Sequence, residues 1–442
     1  MIKRFYLRQN VHIQELMHGA AVALLLKIVA AVAAFSLNVV LARLLGAEGS
    51  GIFFLALAIT VMISAVGRIG MENALVRFIA SNVAAGLSAR VLGVYKKATL
   101  YALLVASSLA LLLYSMTPWL SQIVFAKPEL EKPLSLMSSS VVFVALLTLH
   151  AHALQGLKKI AASISILSLF VPLITCLVAA IFAPRYGINA AVWGYLSGTV
   201  FTLLLGRWFW VRSTRTYDRS DAAFESRQLF KSSMPAYVVV IANLVIMWSP
   251  MLFLGALDSS ESVGIYSAAS RTAMLTSFIL IAVNSIAAPK FAALYENRDL
   301  VSLQMVARNS AKIMVLFAAP ILLLFLLVPR FVLSIFGAEF EQGAYILMIL
   351  AVGQFVNVAT GSVAYLLMMS GNERLMRNNL VFCAVLVVSL NVILIPVYGA
   401  VGAAIGAAVV LSIQNIIAMV MVRRKLHITT LPWLAGLSRR VT

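Results

Sequence analysis

Acidic residues are scarce in this chain: 15 Asp and Glu stand against 34 Lys and Arg, and charged residues together make up 11% of its length. A soluble domain carries about a quarter charged residues, so a soluble globular fold is excluded. The 62% hydrophobic content and mean hydropathy of +1.00 come as repeated apolar runs. At about 20 residues each, these runs can cross ~30 Å of hydrocarbon as helix. The alternating segments of about 10 residues that a β-barrel needs are missing. Cysteine is nearly absent too. Cys176 and Cys383 both lie in apolar runs, which leaves no disulfide framework and no metal-ligand cluster. The first run follows Lys3, Arg4 and Arg8 and is too long for a cleaved signal, so it reads as a retained span.

Catalytic motifs are missing in the same way. Gly46 and Gly51 have the spacing of a phosphate-binding loop, but Ile52 and Phe53 stand where Lys and Ser/Thr belong. Neither a His-Glu-x-x-His nor a Gly-x-Ser-x-Gly pattern occurs, and no connection is long enough for a soluble catalytic domain. His150 and His152 are two apart on a helix and point to different faces, so they cannot share a metal. They are packing or interfacial histidines, with a proton-coupling role as the alternative. The expectation is a protein that is not an enzyme and holds no cofactor. A net charge of +19 could suggest a nucleic-acid partner, but the cations sit in short turns between apolar runs, so none is expected.

What is present is a duplication. Residues 41–56 form a short polar turn between apolar runs, and residues 254–269 echo it. Leu41, Leu44, Glu48, Gly51, Ile52 and Ala56 recur as Leu254, Leu257, Glu261, Gly264, Ile265 and Ala269. Pro184, Tyr186, Gly187, Ala191 and Gly194 recur as Pro396, Tyr398, Gly399, Ala403 and Gly406 at nearly the same offset. A weaker third match sets residues 154–159 against 369–374. Matches at one offset mean a duplicated half.

Twelve spans can be drawn, near 19–44, 51–72, 96–117, 135–155, 160–183, 187–209, 233–256, 263–288, 310–328, 343–369, 378–396 and 399–422. With the N-terminus cytoplasmic, 26 Lys and Arg fall on the inner side against 5 on the outer, namely Arg43, Lys127, Lys132, Arg185 and Arg330. That asymmetry predicts cytoplasmic termini. The predicted organisation is an N-terminal six-helix lobe over 1–211, a charged cytoplasmic linker over 212–232 and a C-terminal six-helix lobe over 233–442. Within the linker, Arg212, Arg215, Asp218, Arg219, Asp221, Glu225 and Arg227 read as a tether at the anionic leaflet, with a regulatory role as the alternative. Six spans per half relate the lobes by a pseudo-two-fold along the membrane normal.

Three cations remain inside or at the edge of spans: Lys27, Arg68 and Arg271. Lys27 lies about 12 Å into the first span at 1.5 Å per residue. Arg271 lies at a similar depth into the eighth, from the opposite side. Arg68 has Glu72 one turn on, so it is either a paired, snorkelling residue or a functional one. A buried cation in a membrane is costly and faces water or a counter-charge. No span interior carries Asp or Glu, leaving water, carbonyls or an anionic ligand as partners for Lys27 and Arg271. Packed cations held by helix-end carbonyls are the bland alternative. Asn38, Asn243, Asn284, Gln354, Asn357, Asn391, Gln414 and Asn415 read mostly as interhelical hydrogen bonds worth about 0.6 kcal/mol each, with some available for a sugar path. The Gly/Ala-rich stretch over 399–408 reads as close helix packing.

The turn at 41–53, Gly-Ile-Tyr-Ser-Ala-Ala-Ser-Arg at 264–271, Met-Ser-Gly-Asn-Glu-Arg at 369–374 and Tyr-Gly…Gly-Ala-Ala-Ile-Gly at 398–406 carry a family resemblance. The chain resembles the Wzx-type O-antigen and polysaccharide flippases of the multidrug/oligosaccharidyl-lipid/polysaccharide exporter superfamily, over essentially its whole length. The resemblance implies an all-α polytopic membrane protein, with two pseudo-symmetric six-helix lobes around a central cavity open to either side in turn. Its implied substrate is a polyprenyl-diphosphate-linked oligosaccharide, moved outward across a bacterial cytoplasmic (inner) membrane for O-antigen, capsule or exopolysaccharide synthesis. Membrane lipids and polysaccharide polymerase or chain-length proteins are the other implied partners. The residues agree with it: a diphosphate needs cations, sugars need water and hydrogen bonds, and a lipid tail can stay in lipid. Lys27, Arg271 and Arg68 are the candidate diphosphate contacts. A lipid II-type flippase, which has fourteen spans, and a multidrug antiporter, which bears carboxylates within its spans, are the alternatives. A glycan polymerase or ligase would show a sizeable outer loop, and a scaffold would not need cations in the bilayer.

Overall fold

The structure is a computed structural model that describes residues 2–218 and 226–430, with side chains from residue 22 onward. Among these residues the backbone is helical almost throughout. In hydrocarbon each unpaired backbone N–H or C=O costs several kcal/mol, and a helix satisfies all of them within one segment. The surface is inverted relative to a soluble protein. Leu111, Ile181, Leu316 and Val397 are about 70% exposed, which suits acyl chains and not water. Among the described residues nine helices are long and apolar enough to cross a membrane. A tenth is possible if Pro128–Ser138 and Ser140–Gly156, bent by 44°, are one span.

The two longest helices, α1 (Ile2–Gly67) and α16 (Glu373–Leu426), each contain one residue off the helical path. These are Gly46 (φ 70°, ψ −178°) and Gly399 (φ 52°, ψ −133°). Between them run α2 (Met71–Ala84), α3 (Ser88–Trp119), α4 (Glu131–Ser138), α5 (Ser140–Gly156) and α6 (Ile160–Ile164). Next come α7 (Phe170–Tyr186), α8 (Ile188–Ser213), α9 (Ser226–Leu257), α10 (Ser260–Ala273) and α11 (Ser277–Glu296). The series ends with α12 (Leu300–Leu327), α13 (Pro329–Ser334), α14 (Ala344–Ala359) and α15 (Val363–Met369) ahead of α16. Gly187, between α7 and α8, has φ 56° and ψ −139°. It nearly repeats the dihedrals of Gly399, its partner in the duplication, so the second sequence match marks the same backbone break twice.

The chain forms two compact units. The first takes Ile59–Ile123 and Pro128–Tyr237 with the chain up to Leu44. Its core gathers Met71, Leu75, Ile79, Val94, Tyr95, Leu149 and Leu229 around Trp210, which stacks on Tyr95 at 4.1 Å. In the linker, Ser226 Oγ receives bonds from Lys97 Nζ (3.2 Å) and Tyr101 Oη (2.8 Å). Arg219, Asp221 and Glu225 lie outside the described residues.

The second unit takes Leu45–Ala58, Val124–Lys127 and the chain from Val238 onward. One core gathers Phe291, Leu303, Leu366, Leu367, Val422 and Leu426. Here the first sequence match finds its reason. A Cβ on Gly51 would lie 1.9 Å from the Ser260 carbonyl oxygen, and one on Gly264 2.0 Å from that of Ala47. The two duplicated glycines therefore face each other where α1 crosses α10, backbone against backbone. Close approach through small residues is how helices pack without a hydrophobic driving force between them.

Two charged side chains finish helix ends in the same unit. Glu339 Oε1 accepts the Ala47 N–H at 2.7 Å, just past the break at Gly46. An anion there satisfies an orphan N–H and meets the positive end of the helix dipole. Lys127 Nζ donates to the carbonyls of Gly255 and Asp258, both at 2.6 Å, and closes the C-terminal end of α9. Lys127, one of the five cations that the sequence assigns to the outer side, is buried by these contacts. Replacing Glu339→Ala is expected to cost about 1 kcal/mol, the usual loss of a helix cap. A lowered thermal midpoint in detergent would register it, and an unchanged midpoint would show the contact to be idle.

Candidate functional site

Arg271 stands in the last turn of α10, one residue pair before a tight 3₁₀ turn over Met274–Thr276 separates it from α11. The break places a charged side chain in the middle of what the sequence presents as one span. Its guanidinium lies 5.6 Å from the ring centre of Trp248 and 5.9 Å from that of Phe54. Both rings are buried, and Arg271 itself is half-buried. Ring faces attract a cation by about 0.5–2 kcal/mol without using its N–H groups. Among the described residues no carboxylate lies within ion-pair distance of Arg271. The bracket therefore holds the guanidinium in place while its fork of donors stays available for a bidentate anion.

Lys27 lies on α1 in the first unit and is exposed, with no bonded partner among the described residues. Arg68 is placed differently. Its Nε lies 2.5 Å from Glu72 Oε1, its terminal NH1 donates to Ser64 Oγ at 3.2 Å, and both members of the ion pair are almost enclosed. The geometry thus realises the paired alternative for Arg68 in this state. Lys27 and Arg271 fall in different units.

The amides separate into two groups. Asn38, Asn243 and Asn415 donate to carbonyls one turn back on their own helices. Asn284 pairs with Ser362, Gln354 Oε1 accepts from Ser277 Oγ at 2.6 Å, and Asn391 donates to Ser249 at 3.1 Å. The second group joins different helices of the second unit, and Asn357 leans on Gln354 at 3.5 Å. Cβ atoms added at Gly353 and Gly402 would clash with Ala408 and the Leu394 carbonyl, so the Gly/Ala-rich stretch packs tightly.

Sequence reasoning missed the Phe54–Trp248 bracket, because ring and cation come from segments far apart in the chain. It also missed how deeply Glu72 is buried, at 5% exposure, since residue 72 reads as a span edge. The signal available was Gly70, whose Cβ would lie 2.7 Å from that of Tyr237. A glycine at a predicted span edge marks close packing there.

Known proteins match this chain in sequence and in fold. The polysaccharide biosynthesis protein family matches residues 16–294, and the MatE family matches residues 235–393. A probable low-salt glycan biosynthesis flippase, Agl15 of Haloferax volcanii, is 28% identical over 52% of this chain and 48% of its own length. The chain thus spans about half the length of that relative. An inward-facing multidrug resistance MATE family transporter superposes with a TM-score of 0.74 at 15% identity, covering 96% of this chain and all of its own. The lipid II flippase MurJ in an inward closed conformation gives 0.75 at 14% identity, covering 90% and 87%. A MOP-superfamily transporter from Pyrococcus furiosus gives 0.67 at 15% identity, covering 93% and 95%. These solved structures share the fold. With well over half of its length matched, the chain belongs to the polysaccharide biosynthesis protein family.

Proposed function

We propose that this protein flips a polyprenyl-diphosphate-linked oligosaccharide from the cytoplasmic to the outer leaflet by alternating access, for assembly of a cell-surface polysaccharide. The observation that carries the proposal is Arg271: a guanidinium inside an apolar helix bundle, bracketed by two rings and unpaired with any carboxylate among the described residues. Keeping a cation so placed is costly unless an anion uses it. The glycan flippase relative supports the same substrate class. Lys27 and Arg271 contact the diphosphate in turn, Lys27 nearer the inward-open state and Arg271 nearer the outward-open one. Arg68 is a first contact at the cytoplasmic mouth, where phosphate would replace Glu72 as its partner.

The proposed architecture has twelve spans in two six-helix lobes over 1–211 and 233–442. The breaks at Gly46 and Gly399 support it, since each divides one overlong helix into two segments of spanning length. The proposed location is the inner membrane of a bacterium, with both termini cytoplasmic. Moving an anion outward is favoured by about 2.3 kcal/mol per charge per 100 mV of inside-negative potential.

Purified protein in lipid vesicles with a lipid-linked oligosaccharide tests the activity. The expected result is glycan appearing on the opposite leaflet, with none in empty vesicles; equal rates in both would overturn the reading. Orientation has its own test. After removal of Cys176 and Cys383, cysteines at Glu129 and Glu339 should react with an impermeant thiol reagent in intact cells. Both positions are exposed. Reaction at Arg215 instead would invert the topology.

A further inference from the structure

A carboxylate oxygen in the first unit is left without a partner. Glu72 is 5% exposed; its Oε1 meets Arg68, while Oε2 is buried and receives no hydrogen bond. A buried carboxylate oxygen without a hydrogen bond is costly and points to a donor that arrives in another state. The side chains facing it come from every neighbouring element. Arg68 and Ser64 stand on the preceding turn, His152 on α5 and Tyr237 on α9, the last two within electrostatic reach of the carboxylate. Arg68 is committed to Oε1 and to Ser64.

His152 has the complementary vacancy. Its Nδ1 lies 2.8 Å from the Thr148 carbonyl oxygen, which can only accept, so Nδ1 carries the hydrogen and Nε2 of the neutral ring is a free base. His150, two residues away, is used up. Its Nδ1 donates to the Leu146 carbonyl at 2.7 Å, and its Nε2 bonds Tyr95 Oη at 2.7 Å, with Arg207 nearby. Of the two histidines only His152 has a nitrogen open to a proton.

We propose that His152 is a proton-binding site: a proton taken up on Nε2 makes an imidazolium that answers Oε2 of Glu72, and its loading and release couple transport to protons. The Arg68–Glu72–His152 cluster then alternates between one cation and two around a single carboxylate. The same switch would loosen Arg68 from Glu72 when His152 is charged, freeing the guanidinium for phosphate. The coupling clause rests on the flippase reading; the proton site does not.

The test follows the imidazole nitrogens by NMR in the full-length protein, ¹⁵N-labelled at histidine, between about pH 5 and 8. Among the resonances of the chain's five histidines, one that titrates in the wild type should be absent from His152→Gln. At about pH 6.5, Glu72→Gln should lower the imidazolium fraction several-fold by removing the facing anion, and Arg68→Gln should raise it. The Tyr95-bonded His150 resonance serves as the internal check that each variant is folded. In vesicles, an imposed pH gradient should change wild-type translocation several-fold and leave His152→Gln indifferent. No titrating His152 resonance, or a resonance indifferent to both neighbours, would overturn the site. If it titrates as described while the wild type moves no glycan, the flippase reading falls and the proton site stands. If the wild type moves glycan and ignores the gradient, the coupling falls alone.

Discussion

Arg271→Ala is expected to fold and reach the membrane, yet to deliver about 10- to 100-fold less lipid-linked glycan to the outer leaflet. The magnitude follows from one charge-assisted hydrogen bond worth about 1.5–3 kcal/mol, with each 1.4 kcal/mol a factor of ten. Folding should survive, because the side chain contributes ring contacts of about 0.5–2 kcal/mol. Lys27→Ala should fail to a similar degree. The conservative variants separate the two sites. Lys27 is exposed and unbracketed, so Lys27→Arg should retain more activity than Lys27→Ala, charge mattering more than shape there. Arg271 lies against Trp248 and Phe54, whose faces suit a planar guanidinium. Arg271→Lys should therefore lose more than Lys27→Arg does. Glutamate at either position should be worst, since it repels a diphosphate. The measurement is glycan on the outer face at equal protein levels; wild-type transport by both alanine variants would show the cations to be structural.

The class of the fold was legible because bilayer physics leaves few options: apolar runs of spanning length with almost no acid can only be helices in lipid. The sequence repeat was legible too, since Gly187 and Gly399 hold a positive φ that favours glycine, while Gly51 and Gly264 leave no room for a Cβ. What those glycines do was not. Nothing in the sequence says that the first pair touch each other while the second pair break two helices. Arg271 and Lys27 announced themselves as cations in apolar runs, because charge in hydrocarbon is rare whatever surrounds it. Arg68 shows the limit of that logic. Its partner one turn away was visible, but whether helix or turn joined them, and how dry the pair would be, depends on Tyr237 and Ser233 packing against Gly70. Lys127, counted in the sequence among the outer cations, is a related case: only the fold brings it to the carbonyls of Gly255 and Asp258.

The glycine crossing gives the largest effect on folding. An added methyl at Gly51 or Gly264 would lie 1.9–2.0 Å from a backbone carbonyl oxygen, a distance no side-chain rotation can relieve. The two helices must move apart, and overpacking of this kind costs about 1–3 kcal/mol or more. Gly51→Ala and Gly264→Ala are each expected to lower the thermal midpoint and the yield of monodisperse protein, with leucine worse than alanine at both. The double alanine variant discriminates this from two independent defects. Once the first methyl has separated α1 from α10, the second meets open space, so the combined loss should fall well short of the sum. Residues sharing a contact show non-additivity of about 0.5–3 kcal/mol, whereas independent sites add within about 0.5 kcal/mol. Additive losses would mean that the two glycines act separately and that their recurrence in the duplication has another cause. A sub-additive loss would tie the sequence repeat to one physical contact, the place where the two copies of the motif lean on each other.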